Sequence, residues 1–383
     1  MKRIAIFCDG TWNKLSSEYA TNVQFAAQAV SPSDAAGVPQ VTFYDEGVGT
    51  SNTLLGHAET MLAGAFGFGL LDKIEAAYRF LAFNYEPGDQ IYIFGFSRGA
   101  YTARSLTGLI RKCGIMPRTA VKSIKGAFDF YKRPDVHPDS DEAMGFRLLY
   151  SGAIVMKESE REWRRANGGA PDLVDGARLI DLRYVGVWDT VGALGVPNHL
   201  WLAGLFGTQK KYQFHDTNLS SVVRSARHAV AVDEDRRSFE PALWDNLDEL
   251  NHTDNVAGHE RYQQLWFPGD HGSVGGGGDV VGLSSQALLW IIEGAEAQGL
   301  SFEPLLLAGH ADKRDSLVAL NNLSKRAAFS GLFARGARVG PTLRELLAPS
   351  TIERLRWEAK SAEWKPYRPK TLEAIHKYAE KFE

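Results

Sequence analysis

The most informative run in this chain of 383 residues reads Gln90-Ile91-Tyr92-Ile93-Phe94-Gly95-Phe96-Ser97-Arg98-Gly99-Ala100. Its first half is rich in β-branched and aromatic residues, which are enriched in strands. From Ala100 to Lys112 the pattern becomes typical of a helix. The run therefore predicts a strand that turns sharply into a helix, with Ser97 at the turn.

Two glycines flank Ser97, Gly95 before it and Gly99 after it. In a strand-to-helix elbow a nucleophilic serine occupies a strained turn, and the residues two positions away on each side must be small. The alternative is a glycine-rich turn in which Ser97 only caps the helix. The strand pattern before the serine and the helical pattern after it favour a nucleophile elbow.

Short apolar runs, each followed by loop residues and a helical pattern, recur along the chain and are typical of a mainly parallel sheet flanked by helices. The predicted strands are Ile4–Cys8, Val41–Tyr44, Gln90–Phe94, Leu179–Trp188 and Tyr262–Phe267. We therefore predict an α/β fold of the hydrolase type, as one domain over residues 1–383. Cap-like insertions are predicted at about 115–176 and 192–218, and a helical portion from about residue 300.

The composition restricts the classes of function. Hydrophobic residues make up 44% and charged residues 23%, as in soluble globular proteins, and a net charge of -3 offers no broad basic surface for nucleic acid. The two cysteines, Cys8 and Cys113, form neither a disulfide framework nor a metal-ligand spacing. We expect no nucleic-acid partner, no metal and no cofactor, and nothing in the sequence indicates an oligomeric state.

The location of the protein is predicted from its apolar runs. Only Ile4 to Cys8 separate the basic N-terminus from Asp9, which is too short for a signal peptide. The longest apolar stretches, Met61 to Leu71 and Leu200 to Phe206, are shorter than the about 18 residues that span a bilayer. We expect a cytoplasmic protein rather than an integral membrane protein.

Ser97 requires a base that accepts its proton and a carboxylate that holds the base, in the chain order Ser, Asp, His. Asp189 directly follows the strand Leu179–Trp188 and is the predicted acid. Most of the ten histidines stand in polar or helical settings, whereas His271 follows a predicted strand on a glycine-rich loop, which makes it the predicted base.

Alternatives to these assignments remain open. Asp189 could instead cap a turn, His271 could be a surface histidine, and Asp270 or Asp279 could replace Asp189. We expect His228, inside an apolar run, to pack in the core.

The oxyanion of the reaction is expected to bind backbone N–H groups. Arg98 would supply one from the start of the helix after Ser97. Gly10 or Thr11 would supply the second, since their loop follows the first strand at the carboxyl edge of the sheet.

With these residues, the chain resembles an uncharacterised α/β-hydrolase domain family that also forms the catalytic domain of one class of type VI secretion phospholipase effectors. The resemblance extends along the whole chain. Its motifs are Phe7-Cys8-Asp9-Gly10-Thr11-Trp12-Asn13, Tyr44 with Gly47-Val48-Gly49-Thr50, Gly95-Phe96-Ser97-Arg98-Gly99-Ala100-Tyr101 with Ala103-Arg104, Val187-Trp188-Asp189-Thr190-Val191-Gly192, His228 with Asp233-Glu234 and Arg236, Phe267-Pro268-Gly269 with His271, Val274-Gly275-Gly276-Gly277, Pro349-Ser350 with Glu353-Arg354, and Tyr367-Arg368-Pro369.

The resemblance implies a serine esterase or lipase with the triad Ser97, Asp189 and His271, acting on ester or lipid substrates. It also implies that export as an effector, without a signal peptide, is an alternative to a cytoplasmic location. The chain departs from the family pattern at Ser273, where an aspartate is usual, and at Gly278, where an aromatic residue is usual. These departures bear on the loop around His271 and hence on substrate preference.

The apolar segment Leu200 to Phe206 follows the Asp189 loop and suggests a lid that touches a membrane surface transiently; an ordinary core helix is the alternative. The same two interpretations apply to Met61 to Leu71.

The sequence leaves two rival functions. Asp9-Gly10-Thr11 is similar to the nucleophile motif of aspartate phosphatases, but Phe7 occupies the nucleophile position. The second rival function is that of a binding module that keeps the same fold without catalytic activity.

Overall fold

The computed structural model describes residues 1–10, 13, 15–47, 65–192, 218–253, 261–320, 335–357 and 366–376. Its centre is a six-stranded sheet in which every neighbouring pair of strands is parallel, in the order β2-β1-β3-β6-β7-β8. These strands are β1 Arg3–Cys8, β2 Gln40–Asp45, β3 Gln90–Phe96, β6 Asp181–Trp188, β7 Ala226–Ala231 and β8 Tyr262–Phe267. Two short strands, β4 Ile154–Val155 and β5 Arg178–Leu179, pair separately. The prediction of a mainly parallel α/β fold is confirmed.

Helices cover both faces of the sheet. In the described part of the chain the α-helices are α1 Asn22–Ala29, α2 Ala65–Asn84, α3 Arg98–Cys113, α4 Ile124–Tyr131, α5 Asp141–Tyr150, α6 Glu158–Ala166, α7 Pro171–Gly176, α8 Leu247–Thr253, α9 His271–Gly275, α10 Gly282–Ala297, α11 Pro304–Ala311, α12 Pro349–Arg356 and α13 Glu373–His376.

Alternate residues along each strand enter two separate hydrophobic cores, because successive side chains of a strand point to opposite faces. Ile4 and Ile6 of β1 pack with α2 and α3 on one face. Phe7 packs with α1 and α10 on the other, where its ring stacks on Phe94 of β3 at a centroid distance of 4.6 Å. Each fully buried side chain of this kind stabilises the fold by about 1.5–3 kcal/mol.

The strand order reverses between β1 and β3. From β1 the chain goes outward to β2, and it then returns past β1 to β3 and continues through β6, β7 and β8. In open α/β sheets ligands bind in the crevice at the carboxyl ends of the two strands where this reversal occurs. Here that crevice lies between Gly10, after β1, and Ser97, after β3.

Two strand predictions were incomplete. β7 was not predicted as a strand, because Arg227 and His228 interrupt its apolar run. The predicted strand from Leu179 to Trp188 is two elements, since Arg178–Leu179 pairs with Ile154–Val155 and only Asp181–Trp188 enters the main sheet.

The first predicted insertion, residues 115–176, packs at the end of α3 that is remote from Ser97. Arg147, in a buried ion pair with Glu160, donates to the backbone oxygens of Arg111 and Lys112. A helix rises 1.5 Å per residue, so α3 is about 24 Å long. These contacts do not place the segment over Ser97, and its cap role stays a prediction.

Other predictions fall partly outside the described residues. Residues 193–217, most of the second insertion and all of the Leu200 to Phe206 segment, lie outside them, as do residues 61–64. In the portion after residue 300, α12 packs beside β8, where the Ala348 N–H donates to Trp266 O at 3.0 Å. None of the described helices combines the length and apolar character that crossing a bilayer requires.

Candidate active site

Ser97 lies between β3 and α3 with φ 58° and ψ −123°, in a region that non-glycine residues rarely adopt. Its N–H donates to Trp188 O at 3.0 Å. A Cβ atom at position 95 would lie 2.4 Å from Gly99 O, and one at position 99 would lie 2.1 Å from Cys8 O. Neither position has room for a side chain. This is why the elbow motif requires glycine or another small residue two positions before and two positions after the serine.

Asp189 and His271 are brought together at the same edge of the sheet. Asp189 directly follows β6, with φ 36°, and its side chain is fully buried. His271 Nδ1 lies 2.6 Å from Asp189 Oδ2. Donation by Nδ1 leaves Nε2 as the basic nitrogen of a neutral imidazole. The other two carboxylates considered for this place lack that bond: Asp270 caps α9 by accepting from the Ser273 N–H, and no bond from His271 to Asp279 is described.

The Asp189 carboxylate also binds a residue that sequence reasoning missed. Arg338 Nη1 lies 2.7 Å from Oδ1, and Arg338 Nη2 lies 2.9 Å from Oδ2. Burial on its own would raise the pKa of Asp189, but the Arg338 charge and the bond from His271 hold this pKa well below its usual range. Asp189 is therefore an anion at neutral pH.

His271 is the first residue of the short helix α9 rather than a loop residue. Its ring packs against Phe96 at 4.6 Å and Phe239 at 5.0 Å between centroids. Its backbone N–H donates to the buried carboxylate of Glu234 at 3.3 Å. Burial lowers the pKa of His271, and the bond to Asp189 offsets only part of that effect. The imidazole is thus neutral at pH 7, as a general base must be.

The loop after β1 is organised by the buried carboxylate of Asp9. This carboxylate accepts from the Gly10 N–H at 2.6 Å and from the side chains of Asn13, Thr21 and Tyr44. The geometry does not support Gly10 as an oxyanion donor, because its N–H is already directed at Asp9. Gly10 serves in another way, since a Cβ there would lie 3.1 Å from Ser97 Cβ. Thr11 lies outside the described residues.

Arg98 begins α3, so its backbone N–H is among the first-turn groups at the positive end of the helix. Its side chain lines a small cleft with Asp9, Asp45 and Lys73. Burial lowers the pKa of the guanidinium to about 10. This side chain remains a cation at neutral pH beside the crevice.

His228 packs in the core, as predicted. It also contacts the backbone next to the predicted acid Asp189. It is fully buried on β7, where its Nδ1 bonds Gln264 Oε1 at 2.9 Å and its Nε2 accepts from the Thr190 N–H at 3.1 Å. Burial lowers its pKa to about 3. A neutral imidazole therefore fixes the backbone directly after Asp189.

The two departures from the family pattern have defined structural settings. Ser273 Oγ donates to Asp270 Oδ1 at 2.8 Å, inside the cap of α9. In the glycine run that ends at Gly278, Gly276 bridges to Thr21 and the Gly277 N–H donates to Ala20 O at 2.9 Å. The first departure therefore lies beneath His271, and the second follows a tight contact with the loop after β1.

The parallel sheet and the strained elbow define an α/β protein with a hydrolase-like domain. A family model described as type VI secretion phospholipase effector Tle1-like, catalytic domain, matches residues 2–294. The chain belongs to this family.

The individual proteins that this chain resembles share less than 30% sequence identity with it. An uncharacterised protein of Saccharomyces cerevisiae is 26% identical over 248 residues, which is 62% of this chain and 32% of that protein. An uncharacterised protein of Pseudomonas aeruginosa has a crystal structure with 16% identity and a TM-score of 0.40, covering 80% of this chain and 47% of that one. A Tle1 effector bound to the VgrG spike of the type VI secretion system has 18% identity and a TM-score of 0.34, covering 72% and 52%. The chain thus spans about a third to a half of the length of these proteins.

Proposed function

We propose that this chain is a serine hydrolase that cleaves carboxylic esters of lipids, phospholipids above all, through Ser97, His271 and Asp189. The observation that carries the proposal is the 2.6 Å bond between His271 Nδ1 and Asp189 Oδ2 at the sheet edge that also bears the strained Ser97. Membership of a phospholipase effector family supports the lipid as the substrate class.

The proposed mechanism has two half-reactions. Ser97 Oγ attacks the ester carbonyl while His271 Nε2 accepts its proton, and Asp189 stabilises the resulting imidazolium. Collapse of the tetrahedral intermediate expels the alcohol, which takes the proton from His271, and leaves an acyl group on Ser97. A water molecule, deprotonated by His271, then releases the fatty acid and restores the serine.

The oxyanion of each tetrahedral intermediate is proposed to bind the Arg98 N–H at the positive end of α3. A second donor is proposed on the loop after β1, and Thr11 is the candidate there because the Gly10 N–H is bound to Asp9.

The decisive experiment is labelling with a fluorophosphonate, followed by hydrolysis of a panel of soluble esters and phospholipids. We expect wild-type protein to be labelled and active, Ser97→Ala to be neither, and Ser105→Ala, a buried serine of the same helix, to behave as wild type. A folded wild-type chain that is not labelled would instead favour a binding module that keeps the fold without the chemistry.

We also propose that Leu200 to Phe206 forms an apolar lid that contacts the lipid surface. Replacing Trp201 and Phe206 with glutamate should then reduce hydrolysis of micellar substrates while sparing soluble esters. Equal activity on both substrates in the variant would end this part of the proposal.

For location, we propose residence in the cytoplasm with export by the type VI apparatus as the alternative, because the family is one of effectors. Detection of the tagged chain in culture medium, without a co-expressed cytoplasmic marker, would decide for export.

A further inference from the structure

Arg338 is buried beside Asp189, with a side chain only 1% exposed. Its guanidinium donates to four acceptors: both oxygens of Asp189, Ala231 O at 2.9 Å, and Phe239 O. Burying an arginine here costs a large desolvation free energy, which the acceptors of its two Nη atoms offset, while its Nε has no acceptor among the described residues. Here the fork of the guanidinium matches the carboxylate in a bidentate pair.

The carboxylate of Asp189 is held by four donors in all. Oδ1 accepts from the Ala231 N–H at 2.9 Å and from Arg338, while Oδ2 accepts from Arg338 and from His271. Because the fork is planar and rigid, it fixes the rotation of the carboxylate about its Cβ–Cγ bond. That rotation decides whether Oδ2 points at the imidazole.

The segment that carries Arg338 lies beyond residue 294, where the match to the family's catalytic domain ends. It is attached beside the site by Gly336, whose N–H donates to Asp235 O at 2.8 Å, and by Arg335, which pairs with Asp235 at 2.7 Å. The acid is therefore contacted by a part of the chain that the family match does not include.

We propose that Arg338 is a positioning residue for Asp189, and that this chain completes its active site with a segment outside the region matched by the family. The proposal rests on the function proposed above. It assigns to Arg338 the orientation of the acid and, through it, of the base.

Asp189 and Glu234 raise the pKa of His271 and Arg236 lowers it. Arg338 is the cation that compensates the charges of Asp189 and Glu234. Removing Arg338 leaves one uncompensated negative charge beside the imidazole, which favours the imidazolium. The acidic limb of the pH–rate profile should then move to higher pH.

Two further titratable groups adjoin this cluster. His228 lies behind Asp189 and is neutral because burial lowers its pKa to about 3. Asp270, next to His271, caps α9 and bonds Ser273. Both are present in wild type and variants alike, so the comparison isolates the charge of Arg338.

The test compares Arg338→Met and Arg338→Lys with Arg354→Met in the full chain. Arg354 is a matched control, because it is also a buried arginine of the C-terminal portion and donates to the backbone oxygens of Ser316 and Val318. We expect Arg338→Met to lower kcat by about 100-fold with little change in KM, as for a misplaced catalytic group. Its acidic limb should rise by about one pH unit. Arg338→Lys should have a kcat between those of wild type and Arg338→Met. Arg354→Met should keep the acidic limb of the wild-type pH–rate profile.

The imidazole of His271 is titrated in parallel by NMR on labelled protein, at a temperature at which circular dichroism shows each variant folded. A higher His271 pKa in Arg338→Met supports the proposal even if no ester is hydrolysed, so failure of the proposed function is separate. An unchanged kcat and an unchanged limb in Arg338→Met would overturn it, as would an equal shift in Arg354→Met. If Arg338→Met does not fold, Arg338→Lys decides by kcat, because lysine keeps the charge but not the bidentate fork. A wild-type kcat in Arg338→Lys would then overturn the proposal.

Discussion

Replacing Gly99 by alanine tests whether contact between α3 and the loop after β1 sets the position of Ser97. The added Cβ would lie 2.1 Å from Cys8 O and 2.5 Å from Asp9 O. Both atoms belong to the backbone, so no side-chain rotation relieves the overlap.

The size of the effect follows from these distances. Non-bonded atoms are most stable at about 3.5 Å, so the start of α3 must move by about 1 Å from β1. Overpacking of this kind costs about 1–3 kcal/mol of stability. Because Ser97 moves with the helix, a displacement of about 1 Å should also lower kcat/KM by about 100-fold.

The assays are urea unfolding and ester hydrolysis, with Gly126→Ala as the control. Gly126 lies in α4, where an added Cβ meets no atom within 4 Å. That control should gain about 0.5–1 kcal/mol from helix propensity and keep its activity. Wild-type stability and kcat/KM in Gly99→Ala would refute the reasoning.

Three further predictions concern the triad, its support and the first insertion. Ser97→Ala and His271→Ala should each remove most turnover, and the double variant should add little, because triad members act as a unit; strictly additive losses in kcat/KM would contradict this. His228, with a pKa of about 3 against about 6.5 unfolded, should make stability fall as pH drops below about 6.5, by up to about 1.4 kcal/mol per unit; urea titrations of His228→Gln should show a shallower dependence. Glu160→Ala, which uncovers buried arginines, should cost about 3–5 kcal/mol by urea unfolding yet leave fluorophosphonate labelling of folded protein unchanged.

The turn at Ser97 could be predicted because its determinants are contiguous: a strand, small residues at fixed spacing and a helix. The placement of Asp189 beside His271 was also within reach, since the carboxyl ends of parallel strands converge on one edge. β7 was missed because its polar Arg227 and His228 hide the strand pattern, although both side chains find partners in the fold.

The rest of the site depends on contacts that no local pattern encodes. Arg338 stands in a run of Gly, Arg and Val without a helical or strand period, and its partner Asp189 is 149 residues away. From the sequence the Gly10 N–H was a candidate oxyanion donor, but in the fold it donates to the side chain of Asp9. Both outcomes are decided by how a buried carboxylate is satisfied, which requires the three-dimensional neighbours.

The distance in sequence between Arg338 and Asp189 has a consequence for how the protein is made. A ribosome releases the chain from its N-terminus, so the whole sheet emerges before the arginine does. Until then the buried acid has no counter-charge, and the strands around it gain less from closing over it. The bidentate partner of Asp189 is therefore the last part of this buried cluster to be synthesised, so the cluster can close only after nearly the whole chain has left the ribosome.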